Sequence, residues 1–309
     1  MTTPRATTSA YPPGLRHVTG RNARLRARLT EQRILVAPGC FDCLTGRLVE
    51  TGGFEAAYVS GAGISLSALG APDVGLTSFS EVLDRVKRIA DVTTIPLIAD
   101  IDTGFGGPLN VMRSIREFER AGISAVQLED QEAPKRCGHE MGRRITTEAE
   151  MVGRIKAAVD ARLDPDFLII ARTDARTSLG LTAALDRAEA YAAAGADMLF
   201  VESPESEAEM RTIAKRFAGR VPLMANMVEG GRTPILPAQL LQEIGYRFVI
   251  FPNSLTRLFA KVGAALMTEL HTTGTTAGFA DQMLGHKELW SLFGSDTWLA
   301  LESSFGRGK

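Results

Sequence analysis

The chain has 309 residues and a mass of 33.3 kDa, with 45% hydrophobic and 23% charged residues. That balance belongs to a globular protein able to bury a core without covalent staples, and it excludes a disordered chain. Its 35 basic and 36 acidic residues leave a net charge of -1, which argues against a nucleic-acid partner. Three cysteines are too few for a disulfide framework and fit a reducing, cytoplasmic setting. No apolar run reaches the ~20 residues needed to span a bilayer, so no membrane role is expected.

The first 30 residues hold six arginines and no acidic residue. Such a composition also suits an organelle transit peptide. The composition predicts a disordered tail over residues 1–21, then a short basic helix near Asn22–Gln32 with its arginines on an exposed face.

From residue 34 one theme recurs: a short apolar run, polar residues at its end, then a helical pattern. The runs begin at Ile34, Ala56, Pro96, Ala125, Phe167, Asp197, Pro222 and Phe248. Near-continuous apolar runs of this length predict parallel strands buried on both faces. Val82, Leu83, Val86, Ile89 and Ala90 form one apolar helical stripe, and Leu181, Ala184, Leu185 and Ala188 another. Gly52, Gly122, Gly195 and Gly245 precede strand runs and are expected to end helices in the left-handed conformation. Eight such units predict a (β/α)8 TIM-type barrel over residues 22–270. A doubly wound open sheet would not explain polar groups at all eight strand ends. Residues 271–309 read as a helical extension whose Trp290, Phe293, Trp298 and Phe305 need cover from another subunit.

Barrel enzymes work at the carboxyl ends of their strands. Those ends here read Tyr58-Val59-Ser60-Gly61, Asp100-Ile101-Asp102, Glu129-Asp130, Arg172-Thr173-Asp174, Glu202, Asn226 and Asn253-Ser254. So many ionised groups at one mouth require a cation among them. Residues i and i+2 of a strand share a face, so Asp100 and Asp102, with Glu129 beside them, make an oxygen-rich site. Oxygen ligands without histidine favour Mg2+ or Mn2+ over zinc. An Asp-x-Asp alone equally suits a capping or salt-bridged pair; the strand-end context favours the metal.

The segment Gln131–Thr146, QEAPKRCGHEMGRRIT, is long, polar and placed after the fourth strand, where it can close as a lid. Cys137 has Lys135, Arg136 and His139 close by, and cations lower a thiol pKa or bind carboxylates. The alternative is a basic loop with an incidental cysteine. Cys40 and Cys43 lack partners for a zinc site and read as packing residues. The segments Ser60–Gly63 and Gly104–Gly107 lack a dinucleotide fingerprint and suit backbone approach to an anion. His17, His271 and His286 read as surface or packing residues.

KRCGH at Lys135–His139 resembles the signature of the isocitrate lyase/phosphoenolpyruvate mutase superfamily. YVSGAGIS, DIDTGFGGPLNV, QLEDQEAPKRCGH, ARTDAR, GADMLFVE, ANMVEGGRTP and DTWLALESSF extend the resemblance from about Leu25 to Phe305. The likeness is to the short-chain branch of methylisocitrate and dimethylmalate lyases. It implies a Mg2+-dependent carbon–carbon lyase that cleaves a 2-hydroxy di- or tricarboxylate to a 2-oxo acid and a carboxylate. Oxaloacetate hydrolysis on the same site, or a non-catalytic dicarboxylate-binding barrel, are the alternatives. The resemblance implies Asp100 as direct metal ligand, with Asp73, Asp102 and Glu129 acting through metal-bound water. It places substrate contacts at Tyr58, Ser60, Gly61, Ala62, Gly138, Asn226, Thr233 and Ser254. Catalysis falls to Cys137 as proton donor, with Lys135, Arg136, His139, Arg172 and Glu202. A homotetramer with exchanged carboxyl-terminal helices is implied as well.

Overall fold

The computed structural model describes residues 11–16, 18–140 and 142–306. Most of the tail expected to be disordered, and His17, lie outside the described residues. All eight expected strands form: β1 Leu35–Cys40, β2 Ala57–Val59, β3 Leu97–Asp100, β4 Ala125–Glu129, β5 Leu168–Thr173, β6 Met198–Val201, β7 Met224–Asn226 and β8 Phe248–Phe251. They pair in parallel in the order β6-β5-β4-β3-β2-β1-β8-β7. A parallel bridge between Leu199 and Leu223 joins the two ends. The sheet is thus a closed (β/α)8 barrel, and the open-sheet alternative falls.

Side chains of one parity point into the barrel and the other parity packs against the helices. The lumen is filled by Leu35, Ala37, Tyr58, Ile98, Ala125, Leu168, Ile170, Met198, Phe200, Met224, Phe248 and Ile250. Outside the sheet, Val82, Val86, Ile89 and Ala90 bury the apolar stripe of the helix Phe79–Val92. Ser78 caps that helix and Glu81 closes a capping box. Ala184, Leu185 and Ala188 do the same for the helix Leu181–Ala193.

Helix ends show one correction. Gly122, Gly195 and Gly245 take positive φ as expected, but Gly52 has φ -69° and its neighbour Gly53 makes the left-handed turn at φ 81°. The N-terminal helix Arg21–Thr30 forms where a basic helix was expected, yet its arginines are not all exposed. It closes the amino end of the barrel: Leu25 joins the lumen cluster, and Arg21 is buried with its guanidinium on the carbonyls of Ala90, Thr93 and Gly122. Those carbonyls terminate neighbouring helices, so the cation satisfies acceptors that burial would leave unpaired. After β8 the chain runs into the helix Ser254–Thr273, then helices His286–Leu292 and Ser295–Ser304. None of these three helices contains a buried residue.

Candidate active site

The site is the top layer of the lumen. Two residues beyond Tyr58, Ile98, Ile170, Phe200 and Met224 come Ser60, Asp100, Arg172, Glu202 and Asn226, still pointing inward by strand parity. Glu129 reaches the same layer two residues beyond Gln127. Parallel register sets the neighbours: Asp100 pairs with Gln127 and Glu129 with Arg172. A cavity of about 260 Å3 opens here, lined in part by Tyr58, Ser60, Ala62, Asp73, Asp100, Cys137, Gly138, His139, Arg172, Glu202 and Asn226. A larger cavity of about 440 Å3 lies at the opposite end under the N-terminal helix. None of the strand-end groups reaches it, so the smaller one is the candidate site.

Asp100 is held from below. Its Oδ1 accepts from the Asp102 amide at 3.1 Å and from Gln127 Nε2 at 3.2 Å. Gln127 in turn accepts from the Tyr58 hydroxyl at 2.5 Å. Asp102 shares the face of Asp100, but the reason differs from the expected one. The strand ends at Asp100, and Asp102 has φ 50°, a left-handed turn that swings its carboxylate back toward Gly61. Burial, then the charge of Asp102, pushes Asp100 up to about 6. Burial likewise raises Glu129 well above the ordinary range, although Arg172 at 3.2 Å pulls the other way. Glu129 Oε1 is buried without a hydrogen-bond partner.

The cation expected among these acids is Lys135. Its buried ammonium pairs with Asp73 and lies 2.7 Å from Asp102. Burial alone would lower its pKa, but Asp102, Asp73, Asp100 and Glu129 hold it well above the usual lysine range. Among the described residues no three His, Cys, Asp or Glu side chains converge into a metal cage. Mg2+ does not demand one, since it keeps several waters and takes one or two protein carboxylates. The acidic oxygens around Asp100, with the orphaned Glu129 Oε1, suit such an ion.

The segment Gln131–Thr146 lies over the mouth. Gln131 bridges to Ile145 across its base, and the Gln131 side chain pairs with both backbone groups of Arg136. Ser203, at φ 58°, donates its hydroxyl to the Gly138 carbonyl at 2.9 Å. The Arg232 amide donates to His139 Nδ1 at 3.1 Å. Gly138 packs so tightly on Arg172 and Glu202 that an added Cβ would overlap the Arg172 guanidinium and sit 2.7 Å from Glu202 Oε2. Burial lowers the His139 pKa, against the pull of Glu202, so the ring is neutral and Nδ1 is free to accept.

Cys137 faces the cavity, half-buried. Its thiol pKa is raised rather than lowered: burial dominates, and the His139 amide only partly offsets it. The expected cationic activation fails because Arg136 is exposed and outside the cavity lining while the Lys135 charge is committed to Asp73 and Asp102. A protonated thiol results.

Several expected site residues sit just outside the cavity. Gly61 backs onto Asp100. Thr233 is buried with an unpartnered hydroxyl, and Ser254 donates to Glu229. The sequence reading passed over Gln127, whose signal was a polar residue inside an apolar strand run, and Arg143, a buried cation of the lid segment. Arg172 is held by Asp174 through two bonds of 2.8 and 2.9 Å, and its guanidinium lies 5.2 Å from the Phe200 ring centre. Asp130 sits behind this pair, accepting from the Asp174 amide at 2.8 Å and from the Thr173 and Tyr191 hydroxyls at 2.7 Å.

A closed parallel barrel whose carboxyl-end mouth gathers acidic residues beneath a cysteine-bearing segment has the arrangement of a TIM-barrel enzyme. The family model described as phosphoenolpyruvate phosphomutase matches residues 25–271. A 2,3-dimethylmalate lyase of Eubacterium barkeri is 46% identical over 287 residues, covering 93% of this chain and 99% of that protein. A probable 2-methylisocitrate lyase of Corynebacterium glutamicum is 43% identical, covering 89% and 88%. Among solved structures, a 2,3-dimethylmalate lyase superposes with TM-score 0.89 at 33% identity over 94% of this chain and 97% of that one. An oxaloacetate acetylhydrolase with bound 3,3-difluorooxalacetate gives 0.88 at 32% over 97% and 99%. The chain belongs to the phosphoenolpyruvate mutase/isocitrate lyase superfamily and is a lyase of that superfamily.

Proposed function

We propose that the protein is a Mg2+-dependent carbon–carbon lyase for 2-hydroxy di- or tricarboxylates of the 2-alkylmalate or 2-methylisocitrate type. The observation that carries this reading is the placement of the Cys137 thiol on the wall of the cavity that also holds Asp100 and Arg172; burial raises the thiol pKa, which favours its protonated form. Retro-aldol cleavage beside a carboxylate gives a 2-oxo acid and a carbanion that must be protonated. The 2-hydroxyl loses one proton, and the carbanion gains another.

Asp100 would hold Mg2+ directly, with Asp73, Asp102 and Glu129 reaching it through water; Mn2+ fits the same oxygens. When bound, the ion supplies charge stabilisation for the developing oxyanion. Ser60, Gly61 and Ala62, at the start of the short helix that follows β2, bind the carboxylate of the 2-oxo acid. Arg172 holds the substrate's charge from below. Asn226, Glu202, His139 and the Gly138 backbone line the other end, with Thr233 and Ser254 supporting that wall. Lys135 neutralises the acidic cluster as the lid closes, and Cys137 protonates the carbanion with water excluded.

A panel of 2-hydroxy di- and tricarboxylates with Mg2+, scored for 2-oxo acid release, tests the reading. Release from none of them would overturn it. The likeness to an oxaloacetate acetylhydrolase favours oxaloacetate hydrolysis as the second reading, separated by measuring oxalate from oxaloacetate. A metal titration without heat would return the non-catalytic barrel.

A further inference from the structure

Arg143 lies six residues beyond Cys137 on the lid segment, yet its side chain is buried. Its guanidinium ion-pairs with Asp174 and donates to Thr177 Oγ1 at 2.6 Å. Asp174 is the same carboxylate that holds the Arg172 fork. One fully buried anion therefore joins the lid's return limb to the guanidinium that faces the cavity.

The charge count gives the pairing a purpose. Arg172 has three buried carboxylates at hand: Asp174, Glu129 at 3.2 Å and Glu202 at 3.4 Å. With Arg172 as its sole counter-ion, the buried Asp174 carboxylate would lock the guanidinium onto itself. Arg143, which does not line the cavity, brings a second cation to Asp174. Sharing Asp174 between two cations leaves Arg172 charge to spare for Glu129, Glu202 and a ligand carboxylate. Together the two arginines hold Asp174 below the usual carboxylate range despite its burial.

We infer that Arg143 is a positioning residue, which couples seating of the lid to orientation of the substrate-facing Arg172 through Asp174. Its catalytic part rests on the lyase reading above; its conformational part does not. When Arg143 docks, Cys137 and Arg172 take their places against the cavity in one event. Without it, the limb after Cys137 loses a buried ionic anchor, while the base of the segment keeps the Gln131–Ile145 bridge and its tip keeps the contacts of Lys135, Gly138 and His139.

The test uses Arg143→Met, Arg143→Lys and Thr177→Val in the full chain. Alkylation of Cys137, followed by mass spectrometry with Cys43 as internal control, reads the lid whether or not a substrate is known. Arg143→Met is expected to alkylate at Cys137 at least about tenfold faster than wild type, with Cys43 unchanged. With the best substrate of the panel, kcat is expected to fall by about a hundredfold, and Arg143→Lys to recover at least a tenth of wild-type activity. Thr177→Val, which only loosens the guanidinium, should raise Cys137 alkylation about threefold and carries the test should Arg143→Met not fold. Wild-type alkylation of Cys137 in these variants would overturn the coupling. A wild-type enzyme inert toward the whole panel would overturn the lyase reading instead, and leaves the alkylation arm decisive.

Discussion

The Lys135 ammonium lies 2.7 Å from the Asp102 carboxylate, so the lid meets the floor of the site through an ion pair. The lid thus carries its own counter-ion to the acidic cluster. Lys135→Gln should separate two effects that the wild type combines. Loss of a nearby positive charge should tighten Mg2+ binding by about tenfold, while turnover falls because the lid no longer seats. Calorimetric titration beside steady-state kinetics checks both; weaker metal binding in the variant would contradict the charge argument.

Metal dependence is the expectation for this donor set on the proposed function. EDTA should abolish activity, and Mg2+ or Mn2+ should restore it. Asp100→Ala should lose far more activity than Asp102→Asn, because direct ligation outweighs contact through water. The Asp100 pKa of about 6 adds a pH dependence. A proton removes the charge that binds the ion, so affinity should be flat at higher pH and weaken by about tenfold per unit as pH falls below that value. Titrations at about pH 7.5 and about pH 5 that give equal affinity would rule this out.

Cys137→Ser keeps the size but replaces the thiol with a much weaker acid. Expected is a fall in kcat of about 10²–10⁴-fold with KM little changed, since on the proposed mechanism Arg172 and the metal would still hold substrate. Because burial raises the thiol pKa, the proton stays on at neutral pH. Alkylation of Cys137 should therefore climb only above the ordinary thiol range. A single-turnover assay must show that chemistry limits the rate; a kcat within threefold of wild type then removes the thiol from the mechanism.

The carboxyl-terminal helices expose Trp290, Trp298, Leu299 and Phe305 by 43–80%. Burial of such surface favours association. We expect a homotetramer in which these helices pack on a neighbouring subunit. Light scattering that finds a stable monomer at micromolar concentration would refute it.

The barrel was readable because eight apolar runs encode strands buried on both faces, and every one of them became a strand. Boundaries were less legible: Gly52 and Gly53 are equally able to turn, and only packing chooses between them. The acidic layer followed from strand parity as far as Asp100. At Asp102 the chain leaves the strand, and its carboxylate returns to the site through a positive φ that no periodicity encodes. In the lid, sequence adjacency misled. Arg136 neighbours Cys137 in the chain but is exposed, whereas Arg143, six residues on, is buried under the site. Parity has no meaning in an irregular loop, so the direction of each side chain had to come from tertiary contacts.

The fit of Gly138 against Arg172 and Glu202 leaves no volume between lid backbone and site wall. If the proposed cleavage runs here with Cys137 as its acid, a carbanion formed beneath Gly138 would be protonated from the wall that carries the thiol. For a substrate with a substituent on the carbon that leaves, cleavage in deuterium oxide would then place the label on a single face, and the carboxylate product would emerge as one enantiomer.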